Sequence, residues 1–581
     1  MKRFLLVVAM IECAAMTCWA EKPRQGHEVV DDPHATVSET DRRTGPARQW
    51  VRENHVSVQV NTDAAGSNII GDAANEPSIA VHPSDRLRLA IGWRQFDTVN
   101  SNFRQAGTAF STDGGRTWTN LGVLDPGVFR SDPVLRFGPD GTLFYDSLTV
   151  NTGYECDVFV SQDSGATWSA PIPAYGGDKQ WIALDHTSGS GHGHLYQAWD
   201  YAGCCGDDWF NRSTDGGLTF EYPVPIPAQP YWGVAEVAPD GAFYVIGRTV
   251  DGSTFAVARS STVQDPGAVM AFDGAFSVDL GGAQRYFLGF GPNPDGLLGQ
   301  VWIAADHSSG PNHGNLYALC SVEPPGDDPL DVHLVRSTDR GETWSVPVRV
   351  NDDPPTSNTW QWFGTMAVAG DGRIDAIWND NRGDPTGYDS ELRYSFSIDG
   401  GATWAPSEPL SPAFDPHLGW PDQSKLGDYY DMTSDRVGAH VAYAATFNGE
   451  QDVYHLRIGD WDCNDNGVGD ATDISDGTST DLDLDDIPDE CRLDGDRDGA
   501  VDPLDNCPTI FNPDQRDSDH DGVGDLCRDL IFADGFETGD LSTWEPDPLT
   551  DCRPEGVEAL CTAVISHLRA QRRTLMPRSD W

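Results

Sequence analysis

The stretch STDGGRTW at residues 111–118 decides the fold, because the chain repeats it: SQDSGATW at 161–168, STDGGLTF at 213–220, STDRGETW at 337–344 and SIDGGATW at 397–404. Five near-copies of one eight-residue pattern mark a repeat architecture. The third residue of each copy (Asp113, Asp163, Asp215, Asp339, Asp399) can accept hydrogen bonds from the turn's own backbone N–H groups. The fifth is glycine (Gly115, Gly165, Gly217, Gly341, Gly401), which permits positive φ. The closing aromatic covers the sheet edge. Carboxylates beside aromatics invite a catalytic reading, but this spacing describes a clasped turn, and the copies are read as structural.

Each copy closes a longer unit. Strand, Gly or Asp turn and strand recur in PSIAVHPSDRLRLAIGW at 77–93, PVLRFGPDGTLFYD at 133–146, WIALDHTSGSGHGHLYQAWD at 181–200 and WGVAEVAPDGAFYVIGR at 232–248. Looser versions start at Arg285 (RYFLGFGPNPDGLLGQVWIAAD), Phe363 (FGTMAVAGDGRIDAIWND) and Gly427 (GDYYDMTSDRVGAHVAYAA). That makes seven units, each an A–B hairpin, then strand C, the repeat or its remnant, and strand D. Unit four carries only RSSTVQDPG, from Arg259, in place of the repeat, and unit seven ends after DVYHLRIG, from Asp452, without a fourth strand. HVSVQVN, from His55, is expected to supply it, because ring closure removes exposed sheet edges. The expected fold is an all-β, seven-bladed β-propeller over residues 53–459, followed by a small calcium-stapled, loop-rich segment.

The pattern S-x-D-x-G-x-T-W resembles the Asp box of sialidases and related propellers, over about 400 residues. The resemblance implies architecture more than reaction, since one fold hosts many functions. Two departures stand out. Sialidases have six blades, and their Arg-Ile-Pro signature is absent from the comparable region, LAIGWRQF at 89–96.

In this strand order the repeat turns lie on one face, and the D-to-A and B-to-C connections crowd the other around the axis, where function is expected. Those connections carry Arg94, Asp132, Asp200, Arg248, Arg285, Arg382, Tyr429 and Tyr430, among other charged and aromatic residues. A sialidase needs arginines that grip a carboxylate bidentately, a tyrosine nucleophile and an Asp acid/base. The resemblance offers Arg94, Arg248, Arg285 and Arg382 for the grip, Tyr429 or Tyr430 as nucleophile, and Asp132 or Asp200 for the proton. The plain alternative is that these charges close rim loops through mutual ion pairs. A glycan-binding face needs only the aromatics, Asp and Arg, and a polysaccharide lyase of this fold would use a Tyr or His base on a uronate, a possibility that His186, His192, His194 and His307 keep open. Glycan binding is the leading expectation, an exo-α-sialidase or related glycoside hydrolase the alternative, a lyase the third.

The formal charge of -53, from 91 acidic and 38 basic residues, repels nucleic acid and anionic membrane surfaces. Met1-Lys2-Arg3, an apolar run from Phe4 to Met10 and Cys18-Trp19-Ala20 read as a secretory signal over residues 1–20, followed by a linker over 21–52. An exported, extracellular chain favours paired cysteines. Cys463 with Cys491, Cys507 with Cys527, and Cys552 with Cys561 are neighbours in sequence. No transmembrane segment is expected.

From 460 to 528 the chain holds 22 acidic and four basic residues and almost no apolar core. Order there must come from ions and disulfides. Four loops follow D-x-[DN]-x-[DN]-[GD]-x-x-D: Asp462, Asn464, Asn466, Asp470; Asp481, Asp483, Asp485, Asp489; Asp494, Asp496, Asp498, Asp502; and Asp517, Asp519, Asp521, Asp525. Alternating oxygens with a sixth-position Gly suit Ca2+, and Asp473 and Asp505 add a twelfth-position carboxylate to the first and third loops. The second loop has Asp486 where Gly is expected. Pro488, Pro503, Pro508 and Pro513 argue against helices after the loops. DNCPTIFNPDQRDSDHDGVGDLC, residues 505–527, looks like a thrombospondin type 3 repeat. Residues 529–581 form a tail that turns basic around Arg569, Arg572 and Arg573 and is offered as a surface-association segment.

Overall fold

A computed structural model describes residues 32–34, 37, 42–52, 54–151, 153–250, 254–356, 358–481, 484–491, 505–508, 510, 512, 515–518 and 522–527. These form two compact units divided after Cys491. The signal and tail segments, Asp483, Asp494, Asp496, Asp498, Asp502, Asp519, Asp521, Cys552 and Cys561 lie outside the described residues.

Seven antiparallel sheets follow one another along the chain. Blade 1 is Ala73–Val81, Leu89–Phe96, Gln105–Ser111 and Thr119–Leu124; blade 2 is Ser131–Phe137, Leu143–Val150, Tyr154–Ser161 and Ile172–Pro173. Blade 3 is Trp181–Leu184, Leu195–Ala198, Asp208–Ser213 and Val224–Pro225; blade 4 is Ala235–Val237, Phe243–Arg248, Phe255–Ser260 and Gly274–Val278. Blade 5 runs Trp302–Ala305, Leu316–Glu323, Asp331–Ser337, Val348–Arg349, and blade 6 Gln361–Val368, Ile374–Asp380, Glu391–Ser397, Glu408–Pro409. Blade 7 takes Asp431–Ser434, Ala439–Ala445 and Asp452–Ile458 from one end of the chain and His55–Gln59 from the other, with Val58 opposite His455. The ring therefore closes with seven blades, as the repeats predict.

Every eight-residue repeat makes the same bonds. The serine hydroxyl donates to the aspartate (2.7–2.9 Å) and accepts from the glycine N–H (2.8–2.9 Å). The threonine donates to the same carboxylate through its N–H (2.8–2.9 Å) and hydroxyl (2.5–2.6 Å). Five aspartates are thereby spent on their own turns, as the sequence suggests. In blade 4, which lacks the aspartate, Ser260 alone accepts the N–H groups of Thr262 and Val263.

Three features depart from the sequence reading. The supposed linker adds a strand, Gln49–Arg52, outside His55–Gln59, and Arg43–Gly45 pairs with Asn68–Ile70. In unit five the A–B hairpin is Trp302–Glu323, and only Ala283–Gln284 before it joins the sheet. The stretch after Gln284 is instead a loop, because its glycines and prolines interrupt any ladder. A short helix, Asp470–Asp476, follows the first acidic loop. The prolines cited against helices all lie beyond it, so none blocks it.

Cys463–Cys491 and Cys507–Cys527 are bridged, Cys204 pairs with its neighbour Cys205, and Cys156 and Cys320 are buried thiols. Among the described residues no helix is long and apolar enough to cross a membrane.

Candidate functional site

The innermost strands bring one backbone irregularity to the axis again and again. At or just before that strand, Glu76, Asp132, Lys179, Trp232 and Phe363 hold φ between 47° and 59°, and blades 5 and 7 have Gly299 and Gly427 at 141° and 104°. A side chain in the left-handed region costs about 1–2 kcal/mol, and in blades 1 and 6 it sits at a β-bulge. At Gly427 a Cβ would lie 2.6 Å from Glu76 Cγ, so the seventh position must be bare.

The ring has two halves. In blades 7, 1, 2 and 3 it is ionic: Lys179 Nζ lies 2.7 Å from Asp428, 3.0 Å from Asp132 and 3.8 Å from Glu76. Arg94 stands 3.2 Å from Glu76, and Lys425 2.8 Å from Asp428. Glu76, Asp132 and Asp428 thus face Arg94, Lys179 and Lys425, all of them buried. Burial pushes Glu76 up to about 8 in spite of Arg94 and Lys179. Burial works to lower the pKa of Lys179, but Asp132, Asp428 and Glu76 outweigh it and hold the lysine charged.

The sequence candidates divide accordingly. Arg94 and Asp132 belong to this closed cluster. Tyr429 packs beside it, 5.6 Å from Trp181, and donates its hydroxyl to the Pro133 carbonyl at 3.0 Å. Burial, then Glu76 and Asp132, raise the Tyr429 pKa well above its ordinary value, the opposite of what activates a phenol. Tyr430 donates to the Ala444 carbonyl. Arg382 is pinned by Asp380 (2.8 Å) and Asp352 (2.7 Å), which corrects its reading as a carboxylate grip in favour of the ion-paired alternative. The four arginines do not converge: Arg94 is axial, Arg382 is tied up in blade 6, and only Arg248 and Arg285 share a site.

That site is a cavity of about 460 Å³, lined by Tyr201, Tyr231, Trp232, Arg285, Tyr286 and Phe287 among others. It opens between the B–C connection of blade 3 and the connections into blades 4 and 5, on the face expected from strand order. Arg248 underlies the aromatics, its guanidinium carbon 4.5 Å from the Tyr286 ring centre, 5.4 Å from Trp232 and 5.6 Å from Tyr231. Trp232 donates its indole N–H to Asp200 at 3.2 Å. Asp200 is buried and pushed up to about 7, chiefly by burial, so it holds the indole instead of reaching into the cavity. Arg285 pairs with Glu323 at 3.1 Å across a half-exposed rim, and Tyr201 is 46 % exposed. The Tyr201 loop is tied down by the Cys204–Cys205 bridge and by Cys204 N–H donating to the Gly176 carbonyl. No carboxylate lines the cavity.

Glu76, Lys425, Tyr231 and Tyr286 escaped the sequence reading. A signal existed for the first: Glu76-Pro77 and Asp132-Pro133 are the same acidic-Pro step at equivalent places in blades 1 and 2. Tyr286 was hidden because its loop was read as a strand. The histidines weighed for a lyase sit elsewhere: His186, His192 and His307 lie in A–B hairpins on the opposite face, against Phe137 O, Thr187 O and Glu236.

The first acidic loop packs on blade 1. Arg116 stacks on Trp461 (4.1 Å), donates to the Asp486 carbonyl and lies 3.6 Å from Asp470, while Trp461 donates to the Gly114 carbonyl. Within the loop, Asn466 and Gly467 N–H groups donate to Asp462, and the Asn466 amide donates to Asp473. Asp462, Asp470 and Asp473 are buried, and Asp470 Oδ2 accepts no hydrogen bond. Burial pushes Asp470 up to about 6. In the second loop Asp485 and Asp486 N–H groups donate to Asp481, with Asp486 itself at φ 64°, where a glycine would fit without strain. Asp489 follows in a short 3-10 turn. In the second compact unit, Gly522 N–H donates to Asp517 and Ser518 N–H to Asp525. Asp505 there is buried, with one oxygen accepting no hydrogen bond.

No family model matches this sequence, and no curated protein matches it. Among solved structures, a protein of unknown function from Dyadobacter fermentans DSM 18053 aligns over 70 % of this chain and 100 % of its own, at 14 % identity and a TM-score of 0.40. A Trypanosoma rangeli sialidase aligns over 70 % of this chain and 60 % of its own, at 12 % identity and a TM-score of 0.37. An α-L-arabinofuranosidase from Fusarium graminearum aligns over 69 % of this chain and 97 % of its own, at 11 % identity and a TM-score of 0.36.

Proposed function

We propose that the protein is an exported glycan-binding propeller whose ligand sits in the aromatic cavity between blades 3, 4 and 5, and whose acidic loops take calcium. The observation that carries the first part is the lining itself: tyrosine, tryptophan and phenylalanine faces with one arginine, Arg285, and no carboxylate. Aromatic faces stack on the apolar faces of sugar rings and exclude water, and Arg285 on the rim offers a bidentate donor to an acidic substituent. The absence of a carboxylate in the lining favours binding over glycoside hydrolysis by a carboxylate pair. The exo-sialidase reading would need Tyr429 or Tyr430 to reach a substrate, and their hydroxyls donate to the Pro133 and Ala444 carbonyls.

Titration calorimetry on the full chain, guided by a glycan array, tests this. Tyr286→Ala is expected to weaken binding about tenfold, the loss of one stacking contact of about 1.4 kcal/mol. Arg382→Ala should leave affinity unchanged. Turnover of a fluorogenic sialoside, or affinity indifferent to Tyr286, would overturn the reading.

For calcium, Asp462, Asn464, Asn466, Asp470 and Asp473 would hold an ion in the first loop, Asp481, Asp485 and Asp489 one in the second, and Asp517 and Asp525 contribute to the fourth. Buried, incompletely bonded carboxylates on an Asn/Asp-rich loop fit a hard cation. Bound ions supply folding free energy to segments without a core. A chelator is therefore expected to open residues 460–491 and 505–527 to limited proteolysis while the blades stay resistant; an unchanged digest would refute it.

A further inference from the structure

A separate group of carboxylates lies where the two ends of the chain close the ring. Asp72 leads into the innermost strand of blade 1, and Glu450 and Asp452 end the B–C connection of blade 7. All three are buried, at 3, 7 and 0 % exposure, and one oxygen from each lies within 4.8 Å of the others. Amides meet the other two residues: Asn68 and Gly71 donate to Glu450 (2.9 and 2.6 Å), and Asn61 and Asn448 to Asp452 (2.9 and 2.8 Å). Asp72 accepts from Gln95 through Oδ2 (2.9 Å), and its Oδ1 is buried without a hydrogen bond. The axial cluster sets three cations against three carboxylates; here, among the described residues, no Lys, Arg or His lies within ion-pair distance: Arg42 binds Asp97, and Arg48 binds the Asn448 side chain instead.

Three carboxylates taken out of water without a counter-charge are strongly disfavoured. We propose that Asp72, Glu450 and Asp452 bind one divalent cation, calcium, that locks blade 7 to blade 1. The donor set is all oxygen, without nitrogen or sulfur, which selects a hard ion. Such an ion would cross-link positions almost the full propeller apart in sequence, where closing a loop constrains the unfolded chain most. It reinforces bonds already present, Ala74 N–H to Gln451 O and Val60 N–H to Val453 O.

The test is calcium content by elemental analysis of the full-length chain, loaded with excess calcium and desalted, for wild type and for Asp72→Asn/Asp452→Asn. The acidic-loop sites are the same in both proteins and cancel. The double variant is expected to carry one calcium fewer per chain and to lose the part of the calcium-induced rise in propeller melting temperature that wild type shows. Should Asp452→Asn disturb folding, Asp72→Asn alone makes the same comparison, since its only side-chain bond, to Gln95, survives. Equal calcium content would overturn the proposal. Protons would then neutralise the cluster, and the variants would melt higher than wild type at neutral pH with or without calcium.

Discussion

Replacing Lys179 with methionine is expected to destabilise the propeller by about 3–5 kcal/mol, the cost of leaving buried charges uncompensated. Methionine keeps the apolar stem but removes the ammonium that lies 2.7 Å from Asp428 and 3.0 Å from Asp132. Of the cations in this cluster, those two carboxylates and Glu76 would then keep Arg94 and Lys425. Adding Asp132→Asn and Asp428→Asn should recover a large part of the loss, because neutralising both sides of a buried pair is far milder than orphaning one. Arg285→Met is the control: its partner is exposed on the rim, and such pairs contribute at most about 1 kcal/mol. Urea unfolding of the four proteins decides the matter. A Lys179→Met loss no larger than that of Arg285→Met would show that the axial ions are solvated and that the cluster is not the centre of the ring.

The second large effect is on acid stability. His440 and His455 stack 5.3 Å apart in blade 7, both buried. His455 Nδ1 faces the Gly115 carbonyl at 3.1 Å, so it must carry the proton; its Nε2 is then the acceptor for His440 Nδ1–H at 3.0 Å. Gly115 has φ 85°, and a Cβ there would sit 2.3 Å from the His455 ring, so this repeat turn requires glycine for contact as well as for conformation. Burial, then Arg457, holds His455 down to about 3, and burial lowers His440 as well. The unfolded chain takes up these protons near pH 6.5. Between pH 6.5 and about 3 the unfolded state therefore binds more protons than the folded one, and the histidines' contribution to stability falls as pH falls. Over that whole window one histidine is worth about 5 kcal/mol at 1.36 kcal/mol per pH unit. Asp146, pushed up to about 8 by burial, acts in the opposite sense, its contribution being lost as pH rises towards 8. The comparison must then be with His440→Leu/His455→Leu. The stability difference between wild type and variant should shift steadily in the variant's favour from pH 6.5 to 4, and a difference independent of pH would mean that the pair does not titrate on unfolding.

Residues close in sequence determined much by themselves. The eight-residue repeat encodes its own hydrogen bonds within four residues, so five turns, the blade spacing and the blade count were legible without any contact between blades. His55–Gln59 was legible as the closing strand because unit seven visibly lacked one. The acidic loops were legible for the same reason: the groups that turn the chain also present the oxygens. The helix at Asp470–Asp476 was missed because prolines farther on were weighed against a segment they do not touch.

Only the tertiary structure decided which polar residues are partners and which residues line the cavity. Topology put Arg94, Arg248, Arg285 and Arg382 on one face, but the face is wide, and pairing depends on carboxylates from other blades. Asp380 and Asp352 claim Arg382, Glu76 claims Arg94, and Arg248 lies under Tyr231, Trp232 and Tyr286. Glu76 and Asp428 meet across 352 positions of chain, and Asp72 meets Asp452 across 380. No local pattern records such meetings, because they arise from the ring bringing its ends together. Whether a buried charge finds a counter-charge or an ion is a property of that closed ring, and so the site is decided there while the blades are decided along the chain.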